Sequence, residues 1–312
     1  MTNLDPYLAV YFITFVVLIL LEVPIAYAML ASAFVFNHQS FVMFAQKTAN
    51  SLADFNMLAL PAFLFVGCFM NEVGLTDRLF GMFEKWIGHL PGGLAHANVL
   101  SSMVFAGMSG SALADAGGLG TIEVSAMSKA GYDPDFSVAV TAASAGIGPI
   151  IPPSILMVLI GYSTGASVGQ LFLGGAIPGV MIGVALMVYS YIHASRGGDA
   201  YIQTTKFDPK EVRRTMFSAL PGLGLPIIII GGIISGIFSA TEAAAVAVVY
   251  GFLVGMFIYK EITLKDLPGI FVKSAQTAAG IMIITGCAYI FAWFITAKQL
   301  PQLLIQVMNT FI

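Results

Sequence analysis

Seven long apolar runs constrain this chain more than anything else in it: residues 7–36, 57–73, 136–162, 171–193, 217–238, 243–259 and 270–295. A helix needs about 20 apolar residues to cross the hydrocarbon core of a bilayer, so the runs predict an all-α polytopic membrane protein in contact with membrane lipid. Composition agrees, with 58% of the 312 residues hydrophobic, 9% charged and a mean hydropathy of +0.90. That length has room for roughly eight to ten passes and none for a soluble catalytic domain. Thirteen Lys and Arg against sixteen Asp and Glu give a net charge of −3 with no dense basic run, which excludes nucleic acid as a partner. Cys68 and Cys287 sit inside apolar runs, where a thiol behaves as a small hydrophobe. The first run is about twice as long as a signal peptide's apolar region and no Lys or Arg precedes it, so it is expected to remain as one spanning helix.

Between the second and third runs, 92–131 is apolar enough for membrane depth yet carries Gly107, Gly110, Gly117, Gly118 and Gly120. Glycine costs about 1 kcal/mol per position in a helix interior, so a re-entrant hairpin is expected there instead of a continuous helix. Residues 76–90 mix apolar side chains with Asp77, Arg78, Glu84 and Lys85, the pattern of an arm helix lying in the interface plane. The long polar stretch 194–215 carries Arg196, Lys206, Lys210, Arg213 and Arg214. It divides the chain into a first part, 1–195, a linker, 196–216, and a second part, 217–312. With the linker cytoplasmic and the hairpin entering and leaving on one side, the remaining basic residues collect inside as well, and only Lys47 and Lys298 fall outside. This walk puts the N-terminus in the cytoplasm.

The two parts also echo each other. Glu22 (LLEVPIAYAML) and Glu242 (ATEAAAVAVVY) stand 220 positions apart, each opening a stretch rich in small residues, and Gly67-Cys68 and Gly286-Cys287 recur 219 apart. The charge-derived topology runs the paired stretches in opposite directions, the inverted arrangement of many secondary transporters. Glu22 lies near the middle of its run, and a carboxylate at membrane depth is a functional candidate by default. Glu242 has a simpler reading, because Ser239-Ala-Thr-Glu242 has the spacing of a capping box.

Two motifs can carry chemistry. GMSGSALADAGGLG, 107–120, sets Ser109, Ser111 and Asp115 among glycines. Irregular backbone at membrane depth has to be buried in protein or line a wet cavity; tight packing through small residues accounts for Gly and Ser but not for Asp115. AGIGPIIPPS, 145–154, holds Pro149, Pro152 and Pro153, whose missing amides are expected to free the carbonyls of Ala145, Gly148 and Pro149. A kink needs one proline; three so close together favour a broken helix, 136–162, with carbonyls for a small alkali cation and a half-helix N-terminus for an anion.

Taken together, GMSGSALADAGG, SKAGYDPDFSVAVTAASAGIGPIIPPSI and GIFSATEAAAVAVVYGF resemble the large membrane subunit of tripartite ATP-independent periplasmic (TRAP) transporters, the DctM-like family, across essentially the whole chain. The resemblance implies an inverted-repeat, elevator-type fold with re-entrant helical hairpins in the bacterial inner membrane. It implies sodium-coupled import of an organic anion such as a C4-dicarboxylate or a sugar acid, with a small membrane subunit and a periplasmic substrate-binding protein as partners. Carried over by motif, Na+ would be held by Ser109 and the carbonyls of Gly148, Ile151 and Pro153. Ser111, Asp115 and Ser154 would contact substrate or support the site. The family's second hairpin and second proline motif, which supply a further sodium site, have no counterpart in 217–312. The chain is therefore expected to be a fragment or one piece of a split transporter, short of on the order of 100 residues.

Other classes compete. A different two-hairpin sodium/anion symporter, or a channel, would share the half-helix physics. Gly107-Met108-Ser109-Gly110 also spells the G-x-S-G of intramembrane serine proteases, for which His193 is the available later histidine. An active-site serine probe separates the classes: a transporter shows no labelling that depends on Ser109, whereas labelling abolished by Ser109→Ala would favour the protease.

Overall fold

A computed structural model of the protein describes residues 6–35, 41–197 and 207–297, together with 299, 302 and 305, and every regular element among them is helical. The chain divides into two compact units, one from 1–54 with 277–312 and the other from 55–276. The units do not coincide with the two sequence halves, since the first joins the start of one to the end of the other.

In the smaller unit the first apolar run is not one spanning helix. It forms α1 (Pro6–Leu20) and α2 (Ile25–Val35), packed together. The break has a local cause: Pro24 biases Val23 away from helical backbone, and the helix before it ends in a Schellman turn. In that turn Val23 N–H donates to Leu18 O at 3.0 Å, Glu22 N–H donates to Ile19 O at 2.9 Å, and Glu22 takes the left-handed position at φ 61°. A non-glycine residue there costs roughly 1–2 kcal/mol, so packing has to hold it. Tyr11 folds back beside Ser32 and Ala33, while Phe15 packs with Ala26 and Met29, so the two helices run antiparallel. Tyr11 also stacks on Phe294 at 4.3 Å, and Phe44 of α3 (Phe41–Leu52) joins the same cluster. Glu22 thus lies at an exposed turn, not at mid-span. The charge walk counted residues 7–36 as one crossing; for a helical hairpin the cytoplasmic N-terminus no longer follows, while assignments from residue 57 onward are unaffected.

The larger unit opens with a 3-10 turn, Phe55–Leu58, and α4 (Ala59–Glu72), which bends by 66° at Gly74 into α5 (Leu75–Ile87). α5 buries Leu75, Leu79, Phe80, Met82 and Phe83 along one face. Its charged face is paired: Arg78 with Glu261, and Lys85 with Glu84 and Glu211, while Lys273 pairs with Glu72. These pairs gather α5, the start of the helix Pro209–Ile234 and the loop carrying Glu261 around one set of charges, with the helix Leu267–Ala297 tied to the end of α4. Next come α6 (Gly93–Ser109), α7 (Ala112–Gly117), α8 (Leu119–Lys129), α9 (Pro134–Ala145) and α10 (Ile155–Thr164). They are followed by α11 (Val168–Arg196), α12 (Pro209–Ile234), α13 (Ala240–Leu253), which continues as a π turn through Val254–Tyr259, and α14 (Leu267–Ala297). Among the described residues, four helices are long and apolar enough to cross a membrane: α11, α12, α13 with its π turn, and α14. The run 136–162 is split into α9 and α10.

Capping side chains mark many of the starts. Ser239 and Glu242 form the reciprocal capping box, with Ser239 N–H donating to Glu242 Oε2 at 2.8 Å and Glu242 N–H to Ser239 Oγ at 3.3 Å. Without a hydrophobic drive between helices in lipid, small residues must let them approach closely. Gly175, Gly179 and Gly183 form one stripe of α11 at four-residue spacing. A Cβ on them would lie 2.5 Å from Ile150 O, 2.4 Å from Ile151 Cγ1 and 2.2 Å from Met103 Sδ respectively. This stripe seats the irregular segment between α9 and α10. Neighbouring Gly174 meets nothing within 4 Å. Gly175→Ala is expected to be about 1–3 kcal/mol less stable than Gly174→Ala, the cost of overpacking against backbone, as read by thermal unfolding in detergent; equal stability would show that α11 does not clasp this segment.

Candidate functional site

The helices on either side of Gly110 turn back on each other: α6 and α8 pack side by side and both contact α9. Gly110 makes the turn at φ 60°, its N–H donating to Ala106 O at 3.0 Å, and Ser111 then caps α7 by accepting from Ala114 N–H at 3.3 Å. The tip so formed sits on the irregular segment 146–154. A Cβ on Gly110 would fall 2.5 Å from Pro153 O and 3.3 Å from Ser154 Cα, and Ile155 N–H donates to Gly110 O at 3.4 Å. From the other side, a Cβ on Gly148 would lie 3.2 Å from Ala112 N and from Ser111 C. Tip and broken helix thus meet backbone to backbone, and the sequence motifs 107–120 and 145–154 become one site.

Within it, Ser109 is buried, the last residue of α6, with its Oγ accepting from Ser111 N–H at 3.5 Å. Of the three carbonyls expected to be freed by the prolines, two are taken. Ala145 O accepts from Gly148 N–H at 3.0 Å, because the chain tightens into turns after α9, and Pro149 O accepts from Ser154 Oγ at 2.6 Å. Gly148, Ile151 and Pro153 carbonyls receive no hydrogen bond from any described residue. Three acceptor oxygens and a hydroxyl are the donor set of a hard monovalent cation, and among the described residues no group of three His, Cys, Asp or Glu side chains is placed to hold a transition metal. Ser154 is fully buried and spends its hydroxyl on structure, donating to Pro149 O and accepting from Met157 N–H at 3.3 Å to cap α10. Ser111 is half-buried at the tip, beside Leu113, which is 87% exposed.

Asp115 is 1% exposed, directed into the protein from α7, and neither of its oxygens has a hydrogen-bond partner. Beside it lies a carboxylate the sequence reading did not single out: Glu123 on α8, 0% exposed and likewise without a partner. Its signal was present, an acidic residue inside the apolar stretch GLGTIEVSAM at membrane depth. A polar network behind them ties α6 to α9. Asn98 Nδ2 donates to Thr141 Oγ1 at 2.6 Å, Ser144 Oγ to Asn98 Oδ1 at 2.8 Å, and Ser102 Oγ to Ser144 Oγ at 3.1 Å.

Comparison with known proteins fits this architecture. Residues 12–311 match the family described as "Tripartite ATP-independent periplasmic transporter, DctM component". Over 260 residues the chain is 41% identical to the sialic acid TRAP transporter large permease protein SiaM of Vibrio cholerae, covering 83% of this chain and 60% of that protein. It is 37% identical over 289 residues to the 2,3-diketo-L-gulonate TRAP transporter large permease protein YiaN of Escherichia coli, covering 91% and 68%. To the C4-dicarboxylate TRAP transporter large permease protein DctM of Pseudomonas aeruginosa it is 37% identical over 271 residues, covering 86% and 62%. The chain thus spans about 60% of the length of the Vibrio and Pseudomonas relatives. These relatives are transporter subunits and not enzymes, which removes the protease reading of G-x-S-G; the buried Ser109 and a His193 stacked on Phe136 at 4.4 Å agree. With its apolar helices and the match along nearly its full length, the chain belongs to the DctM family of TRAP transporter large permease proteins.

Proposed function

We propose that this chain carries the ion-binding hairpin of a sodium-coupled importer of an organic anion in the bacterial inner membrane, working with a small membrane subunit and a periplasmic substrate-binding protein. The observation that carries the reading is the contact of the Gly110 tip with Pro153 beside three unbonded carbonyls. Ser109 Oγ and the carbonyls of Gly148, Ile151 and Pro153 would hold Na+, and its charge would draw a substrate carboxylate to the exposed tip around Ser111. Relatives named for sialic acid, 2,3-diketo-L-gulonate and C4-dicarboxylates carry carboxylates in those names, and another is named for isethionate, a sulfonate, so the substrate class proposed here is an organic anion, with a carboxylate favoured by the greater number of names. Ser154 acts in this site by holding Pro149 and α10 in place.

The N-terminal pair α1–α2 is, by the 220-residue offset, the counterpart of α12–α13, and this supports inverted repeats divided by the 196–216 linker. The inverted relation sets the N-terminus on the side opposite the linker. Arg78, Lys85 and Lys273, through their ion pairs, support a single cytoplasmic side for α5, the linker and the α13–α14 loop. Arm helix α5 lies in that interface.

In liposomes containing the complete three-component transporter, Ser109→Ala is expected to weaken the sodium dependence of uptake; an unchanged sodium titration would remove Ser109 from the site. Gly110→Ala should lower thermal stability by about 1–2 kcal/mol through the left-handed backbone alone, and should weaken the sodium dependence of uptake because its Cβ would fall 2.5 Å from Pro153 O, one of the proposed ligands. Omitting the binding protein should abolish uptake; uptake that persists would favour the simpler two-hairpin symporter. A cysteine placed at the N-terminus should react with an impermeant thiol reagent in spheroplasts, and protection there would restore a cytoplasmic N-terminus.

A further inference from the structure

Asp115 and Glu123 are the buried carboxylates of the described residues, and the role proposed above uses neither. Glu123 feels Asp115 directly, and all four carboxylate oxygens lack hydrogen-bond partners. Isolated ionised carboxylates are costly to bury, and two close together repel, so such a pair needs either a proton or a cation.

Among the described residues, the surroundings offer no protein cation to neutralise the pair. On α5, Arg78 reaches Ser218 and Glu261 and lies over Tyr259, Lys85 is paired with Glu84 and Glu211, and Asp77 is exposed. On α4, Glu72 is bound to Lys273, and Asn71 bonds Thr76. On α6, His96 turns to Pro91 O at 3.1 Å. Lys129 closes α8 at an exposed position two turns from Glu123, and Asp133 and Asp135 are exposed at the start of α9. What does face Asp115 is the buried Ser102 hydroxyl, without a hydrogen bond of good geometry. Ser102 Oγ lies 3.1 Å from Ser144 Oγ, which in turn reaches Asn98 Oδ1 and Thr141 O, so the Ser102 hydroxyl can either turn its hydrogen to a carboxylate oxygen of Asp115 or donate onward and accept from a protonated one, and a pair holding one proton is served by both.

We propose that Asp115 and Glu123 form a proton-binding site on the hairpin, sharing one proton at neutral pH, with the Ser102–Ser144–Asn98–Thr141 chain as its hydrogen-bonded backing. Its residues are other than the Ser109, Gly148, Ile151 and Pro153 oxygen set, and the hairpin carries its proton wherever it moves.

The test is infrared spectroscopy of the purified full chain at pH 7 in sodium-free and sodium-containing buffer. A carboxylic-acid carbonyl band that shifts in heavy water is expected in both buffers, and among the described residues Asp115 and Glu123 are the buried carboxylates to which it is assigned. The band is expected to be lost in Glu123→Gln, whose amide keeps the shape of the side chain. Should that variant unfold early in a thermal melt, Asp115→Asn and the pH titration of the wild-type band give the same reading. A wild-type spectrum without the band, or a band retained in both variants, would overturn the proposal. A band that vanishes on adding sodium would overturn it in favour of a cation held between the carboxylates. None of these readouts depends on transport, so they fail independently of the importer reading.

Discussion

Every peptide group at membrane depth must be satisfied within the protein, and the site exists because this rule is relaxed at one place. Helices settle the requirement by themselves; the segment 146–154 cannot, since three of its residues are prolines. The chain repairs most of the damage locally. Turns after α9 use Ala145 O and Ile147 O, Ser154 covers Pro149 O while capping α10, and Ile155 N–H finds Gly110 O across the tip. What is left over, the carbonyls of Gly148, Ile151 and Pro153, is a set of oriented dipoles with nothing to bind but an ion or water. On the proposed reading, the oxygen ligands are what an incomplete repair leaves over.

Close approach makes the repair possible. The tip and the broken helix can touch at backbone level because Gly110 and Gly148 face each other's chains without side chains, and the segment is clasped from behind by the glycine stripe of α11. Rigid helices with small-residue seams hold the irregular strip in place, so an ion bound as proposed would meet carbonyls that the packing has already positioned. A preorganised site spends little of its binding energy on ordering, which a weakly bound monovalent ion could ill supply.

How much of this was legible in the sequence depended on how local the cause was. The Ser239–Glu242 capping box, the proline break in 136–162 and the glycine turn of 107–120 are each written in a few adjacent residues, and each element is found where those residues are. The antiparallel fold of residues 7–36 was missed because its apolar run is long enough for one helix; only Pro24 hinted at the break, and the pairing of Tyr11 with Ser32 and Ala33 is a tertiary choice. Glu123 was overlooked for a related reason: its nearness to Asp115 depends on how α7 turns into α8 at Gly118, where φ is −91° and ψ −83°, a turn no spacing rule fixes. Likewise the carbonyls of Ala145 and Pro149 seemed free when proline was treated as a loss alone, without the turns and the serine that make it good.

The buried carboxylates bear on energetics beyond their own hairpin. Moving one elementary charge through the membrane potential is worth about 2.3 kcal/mol per 100 mV. A body carrying Na+ and an organic anion, as proposed above, would have those charges in partial balance, and two ionised carboxylates on the same hairpin would add two uncompensated negative charges to every crossing. A shared proton halves that load and removes their mutual repulsion. The polar chain from Ser102 to Thr141 then has a purpose that packing alone does not supply, since serine and asparagine between α6 and α9 could be replaced by alanine and leucine with no loss of burial. On the proposal above, that purpose is to hold a hydroxyl against a titratable partner.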